Sequence, residues 1–247
     1  MGAAIVRGLL AADAPVGALG VADVDEARVQ TLCDLDARVR PASLADEATT
    51  TILAVKPQQL AAVASLLAPG SRVISIAAGI TTARLRELCP QASGVVRVMP
   101  NLALAVRRGV TLIALSPLAD AELVAVAEEL FGFLGSTHQL EEHLFDAGTA
   151  LSGSGPAWIL LVVEALQEAA LTLGIPAPLA LSLAAETLAG TATLLVERGE
   201  DPRALRLAVS SPGGTTAAGT RALEVAGVRA AFIEAVAAAA TRARELG

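Results

Sequence analysis

The residues best able to do chemistry sit in a few short segments. Ser210-Ser211-Pro212-Gly213-Gly214-Thr215-Thr216 leads into an expected helix over 216–224. Backbone N–H groups exposed at a Gly-rich helix start form an anion site, and two adjacent threonine hydroxyls there can orient a polar substrate. A bare helix cap would not need so many Gly, Ser and Thr together. Ala54-Val55-Lys56-Pro57 holds the only lysine of the chain, against 17 arginines. Where Arg serves almost every other cationic position, a lone Lys at the end of an expected strand marks a place for a compact ammonium rather than a planar guanidinium. In Ser75-Ile76-Ala77-Ala78-Gly79, small residues follow directly on an expected strand, so a flat ring can approach the backbone. Arg97-Val98-Met99-Pro100-Asn101 ends the next strand on a polar amide. Leu151-Ser152-Gly153-Ser154-Gly155-Pro156-Ala157-Trp158 precedes a long apolar helix and by itself reads as a linker with an N-cap.

These segments need elements to position them. Strand patterns are expected over 19–22, 50–55, 72–77, 94–99 and 110–115, with helices over 3–12, 57–67, 81–89 and 119–133. Such alternation predicts an α/β domain with a mainly parallel sheet over residues 1–140. From 141 to 247 the pattern turns all-helical, with helices over 141–150, 156–173, 178–197 and 228–246 and breaks at 174–176 and 199–202. In an open α/β sheet, ligands bind beyond the carboxyl ends of the strands, where Lys56, Ala77 and Asn101 fall. Asp23 closes an apolar run about 20 residues after Gly2, the usual spacing from the last glycine of a dinucleotide fingerprint to the acidic residue on the ribose. Gly2 thus looks like the third glycine of G-x-G-x-x-G, with the first strand and the two earlier glycines absent from the sequence, although on this spacing alone an ordinary helix start and a solvated aspartate are the better reading. A sheet without that central strand is expected to show two long edges.

Composition narrows the function classes. The net charge is −7 and the basic residues are scattered, with Arg107-Arg108 the only adjacent pair, which speaks against nucleic acid. Cys33 and Cys89 form no disulfide framework, which fits a reducing cytoplasm, and two histidines, His138 and His143, predict no metal site. Mean hydropathy is high at +0.61 and aromatics are only 2%. No uninterrupted apolar run reaches the ~18 to 20 residues of a spanning helix: 157–163 stops at Glu164, and 171–185 carries Gly174, Pro176 and Pro178. The expected reading is a protein outside the membrane whose helices bury apolar faces against another subunit.

Taken in order, AVKP, SIAAGI, RVMPN, ALSGSGPAW and SSPGGTT, continuing through ALEVAGVRAAFIEAV, closely resemble the pyrroline-5-carboxylate reductases. The resemblance covers essentially the whole chain. It implies a Rossmann-like dinucleotide-binding domain and an all-helical domain that dimerises through its C-terminal helices, so at least a homodimer. It implies NAD(P)H-dependent reduction of a cyclic imino acid to proline. It further implies that Ala54, Val55, Lys56, Pro57, Ile76, Ala77 and Ala78 line the nicotinamide cofactor, alongside Gly2, Asp23 and Asn101. Glu142, Thr215 and Thr216 would lie near the bound proline ring, with Ser211, Gly213 and Gly214 beside them. Thr216 is assigned to the ring nitrogen and Lys56 to seating the cofactor.

The chain also departs from the family. The usual MPNTP is Met99-Pro100-Asn101-Leu102-Ala103, and the usual Lys-Asp before SSPGG is Arg206-Leu207. Cofactor choice stays open: Asp23 favours a free ribose hydroxyl and NAD, while Arg28 can meet a 2′-phosphate and favour NADP. Two other readings stand beside the reductase: a non-catalytic dimeric relative acting as a binding or structural protein, and a reductase of another cyclic imine.

Overall fold

The computed structural model describes residues 1–46 and 48–246. Two compact units are present: Met1–Pro156 with the chain from Ala237 on, and Ala157–Val236.

The first unit is built on strands β1 (Leu19–Val21), β2 (Val39–Pro41), β3 (Thr51–Leu53), β4 (Arg72–Ser75), β5 (Gly94–Pro100), β6 (Gly109–Leu115) and β7 (Gly135–Glu141). They form two sheets, β1–β2 and β3-β4-β5-β6-β7. All neighbours are parallel except β5 and β6. Among the described residues no strand pairing joins the two sheets.

Central strands bury both faces, so they read as unbroken apolar runs. Val73 and Val95, paired in register, face one core with Leu53, Leu60 and Leu85; their neighbours Ile74 and Val96 face the other, with Ile5, Leu9, Ile113, Leu123 and Phe131. Helices α1 (Gly2–Ala11) and α5 (Ala121–Gly132) thus cover one face, and α3 (Leu60–Ala64) and α4 (Thr82–Leu88) the other. Helix α2 (Glu26–Cys33) starts on Asp25, whose side chain accepts from the N–H groups of Ala27 and Arg28. A 3₁₀ turn, Pro57–Gln59, precedes α3, so Pro57 does open a helix, but a tighter one than expected.

Several elements differ from the sequence expectation. β2 and β7 were not expected. In β7 the residues Gly-Ser-Thr-His-Gln-Leu-Glu are half-buried or exposed, with Leu140 the one large apolar side chain, and β6 supplies the pairing that makes them a strand. The short helix α9 (Pro202–Ala208), capped by Asp201, also escaped notice among the 199–202 break signals. The expected helix over 141–150 becomes a 3₁₀ turn (Glu142–Leu144), then α6 (Phe145–Gly148), then a π-helical turn (Thr149–Ser154), and runs directly into α7 (Gly155–Thr172).

The second unit holds α8 (Ala177–Arg198), α9, α10 (Thr215–Val225), most of α7 and the start of α11 (Val228–Leu246). Its helices leave many large apolar side chains open, including Leu160, Leu161, Leu173, Val196 and Val225. Interrupted apolar runs also become continuous helices. Glu142–Thr172 and Ala177–Arg198 are long and apolar enough, by length and composition, to cross a membrane, contrary to the count of uninterrupted residues. Gly174 and Pro176 separate these helices rather than shortening them.

Candidate active site

The carboxyl ends of β3 and β4 carry the small residues singled out in the sequence. Leu53 is buried and the chain opens at once into exposed Ala54 and half-buried Val55. Lys56 follows in extended conformation and caps the 3₁₀ turn without a side-chain hydrogen bond; among the described residues its ammonium forms no ion pair. Pro57 takes the first helical position, where its missing N–H costs nothing. After β4, Ile76 and Ala78 are half-buried and Ala77 is buried, with its N–H donating to the Ser75 hydroxyl. Helix α1 begins at Gly2 close over this edge: a Cβ on Gly2 would stand 3.2 Å from that of Ala54. Close helix-to-strand approach is the role of a third fingerprint glycine.

Asp23 lies two residues past β1 and accepts the N–H of Asp25 at 3.0 Å. Arg28, in α2, pairs with Asp25 at 3.0 Å, so its charge is already shared at this edge. Gly2, the β3 and β4 edges and Asp23 make a small-residue rim with one acid and one uncommitted cation. These residues fit a dinucleotide, with Lys56 available to its negative charge and Asp23 to a ribose hydroxyl.

Asn101 is placed differently from a cofactor contact. It is buried, and both ends of its amide are taken: Nδ2 donates to the Ser152 carbonyl at 3.0 Å, and Oδ1 accepts the Val110 N–H at 3.2 Å. Glu142 is likewise engaged. Its Oε1 accepts the Thr82 N–H at 2.6 Å and the Thr82 hydroxyl at 2.8 Å, and lies 3.6 Å from Arg97. Partial burial pushes the Glu142 carboxyl up, but the Thr82 hydrogen bonds, Ser116 and the Arg97 charge outweigh it and hold it below the usual carboxylate range. Arg97 carried no expectation of its own beyond its motif. Buried basic residues cannot be recognised in sequence until their carboxylate partners are known.

In the second unit, α9 and α10 frame the Ser210–Thr216 segment. Gly213 has φ +70° and Gly214 is the N-cap of α10, its N–H bonded to the Ser211 carbonyl at 3.0 Å. At φ +70° Gly213 is the position in this turn that favours glycine, while a Cβ on Gly214 would only make the Ser211 hydroxyl turn aside. No side chain caps α10. Its first N–H groups therefore stay open for a ligand. Thr215 and Thr216 are exposed, and among the described residues their hydroxyls are committed to no side-chain hydrogen bond.

Comparisons with known proteins bear on both units. Residues 142–246 match the family model described as "Pyrroline-5-carboxylate reductase dimerisation". Residues 1–79 match "NADP oxidoreductase coenzyme F420-dependent". The chain is similar to the pyrroline-5-carboxylate reductase of Corynebacterium melassecola, 38% identical over 100% of this chain and 95% of the relative. Among solved structures it resembles a pyrroline-5-carboxylate reductase from Coxiella burnetii, with TM-score 0.86, 33% identity and coverage of 100% and 94%. It also resembles a pyrroline carboxylate reductase from Plasmodium falciparum with NADP bound, with TM-score 0.84, 25% identity and coverage of 100% and 95%. A Rossmann-like edge of small residues, an uncapped Gly-rich helix start and similarity along the full length converge: this chain belongs to the pyrroline-5-carboxylate reductase family.

Proposed function

We propose that the protein reduces 1-pyrroline-5-carboxylate to L-proline with NAD(P)H. The observation that carries this reading is the open start of α10, which no side chain caps among the described residues, with Gly213 in the left-handed region and two threonine hydroxyls beside it. A cyclic imino acid offers a carboxylate and a ring nitrogen a short distance apart. The N–H groups of Gly213 and Thr215, on either side of the Gly214 N–H that the Ser211 carbonyl takes, suit the carboxylate, and Ser211 stands beside them. The Thr216 hydroxyl suits the nitrogen, as donor or acceptor.

When bound, NAD(P)H supplies the hydride that reduces the C=N carbon. A protonated imine is already electrophilic, so the protein needs positioning more than a strong acid. Lys56 would seat the cofactor with Ala54, Val55 and Pro57. Ile76, Ala77 and Ala78 leave room for a flat ring, and Gly2 and Asp23 line the far end. Asp23 favours NADH; the NADP named for the Plasmodium relative favours the phosphorylated form.

The domain reading assigns 1–140 to the cofactor and 141–247 to dimerisation and substrate. A homodimer closing over the exposed leucines of α7 and α8 accounts for their hydropathy without a membrane. We place the enzyme in the cytoplasm on the same ground and on its two unpaired cysteines.

Purified protein should oxidise NADH or NADPH when 1-pyrroline-5-carboxylate is added, followed by nicotinamide absorbance. Folded protein that binds the cofactor but turns over neither this imine nor its ring homologues would reverse the assignment.

A further inference from the structure

We infer that Arg97 and Glu142 are positioning residues: a buried clamp that fixes both ends of the cofactor-side loop, 76–81. The inference rests on the reductase reading, but only for what the loop does.

Arg97 lies in β5 directly opposite Ser75, the last residue of β4 before the loop. It is buried, at 4% exposure. A buried guanidinium persists only when paired. Its partners all come from one short helical stretch. Glu142 lies 3.6 Å away and Asp146 3.2 Å away, and the Phe145 ring stands under the guanidinium at 4.4 Å. Positions 142, 145 and 146 share one helix face, so a single strand residue grips that face.

Glu142 then reaches on to the other end of the loop. Thr82 is the first residue of α4, and its N–H is one of the donors that a helix start leaves without a partner. Glu142 takes that N–H and the Thr82 hydroxyl on the same oxygen. Thr81 caps the helix separately, through the Arg84 N–H. Loop entry at Ser75 and loop exit at Thr82 are thereby tied to one ion pair. Asn101, the residue that follows β5, braces the same helical stretch a second time through the Ser152 carbonyl. That carbonyl belongs to the π-helical turn, where the ordinary ladder of helix hydrogen bonds is broken.

An ordinary structural ion pair would affect stability alone. A substrate contact by Glu142 would affect binding of the imine. The clamp instead predicts that cofactor binding and loop order change together. We would compare the full-length wild type with Glu142→Gln, Thr82→Val and Arg97→Lys. NADPH affinity would be read by nicotinamide fluorescence, loop order by amide hydrogen exchange over 76–82 without cofactor, and KM for both substrates by turnover. Thr82→Val and Glu142→Gln should both speed exchange in the loop and weaken NADPH by about tenfold, the scale of a hydrogen bond to a charged group, and Thr82→Val should leave KM for the imine unchanged. Unaltered loop exchange and NADPH affinity in folded variants, or a loss confined to KM for the imine, would overturn the clamp. If Arg97→Lys does not fold, the other two variants decide. A wild type that fails to reduce the imine would remove the reductase reading, while the exchange measurement still decides the clamp.

Discussion

The backbone N–H of Thr82 donates to the Glu142 carboxylate at 2.6 Å, across a sequence separation of 60 residues. A side chain that follows the last strand of the sheet therefore completes the start of a helix packed on the same sheet face. Much of the site's order depends on this bond and on Arg97 behind it.

Glu142 gives a pH dependence with a definite sign. Its folded carboxyl lies below the usual range. The stabilisation is complete above the unfolded value of about 4.3 and is lost as pH falls through the folded value. Thermal melts between neutral and acid pH should show wild type losing Tm toward low pH more steeply than Glu142→Gln. Parallel curves would mean the carboxylate gains nothing on folding.

Arg97→Met leaves Glu142 and Asp146 facing each other without a cation. Breaking a buried pair on one side costs about 3 to 5 kcal/mol, and the lower end applies because both carboxylates remain partly exposed. Urea unfolding should show the unfolding free energy extrapolated to water fall by that amount, with a correspondingly lower midpoint. Arg97→Lys should lose less, since the charge stays but the planar contact with Phe145 does not.

Thr216→Val removes the hydroxyl assigned to the imine nitrogen and keeps the shape. Turnover at saturating substrate should drop by about tenfold or more, on the scale of one hydrogen bond to a charged centre. NADPH affinity should not move. Full turnover in this variant would transfer the role to another group.

Lys56→Met should raise KM for the cofactor and leave KM for the imine alone. Lys56→Arg is the sharper test, because the chain uses arginine at every other cationic position. If the compact ammonium matters, Lys56→Arg should also raise the cofactor KM, measured in the same absorbance assay.

Leu161 is 63% exposed on α7. Placing a charge there, as Leu161→Asp, should split the proposed homodimer into protomers in sedimentation velocity and lower activity with it. A variant that stays dimeric would show that the dimer closes over other residues of α7 and α8.

Much of the fold could be read from local pattern. Runs such as Val-Ile-Ser after Arg72 and Val-Val before Arg97 read as buried strands because both of their faces are covered. The parallel pairing of β3, β4 and β5 also followed from the alternation of strands and helices along the sequence. By contrast, β7 has no apolar alternation to announce it and exists through pairing with β6. Continuous helix from Glu142 to Thr172 was hidden by its Ser-Gly segment, which reads as a linker unless a π-helical turn is allowed for.

By itself, then, the sequence determined the motifs, their order along strand ends and helix starts, and so the family and the chemistry. Backbone conformation at Gly213 and Gly214 and the lone Lys56 are local properties, and local properties are written in residue type and spacing. Only the tertiary structure decided what Glu142 and Asn101 hold. Both are polar residues beside a site, and either could have faced a ligand. Glu142 instead completes a helix start and neutralises a buried arginine, and Asn101 satisfies backbone groups on either side of it. Buried charges and unpaired backbone groups must find partners, and those partners lie far away in sequence, where no local pattern records them.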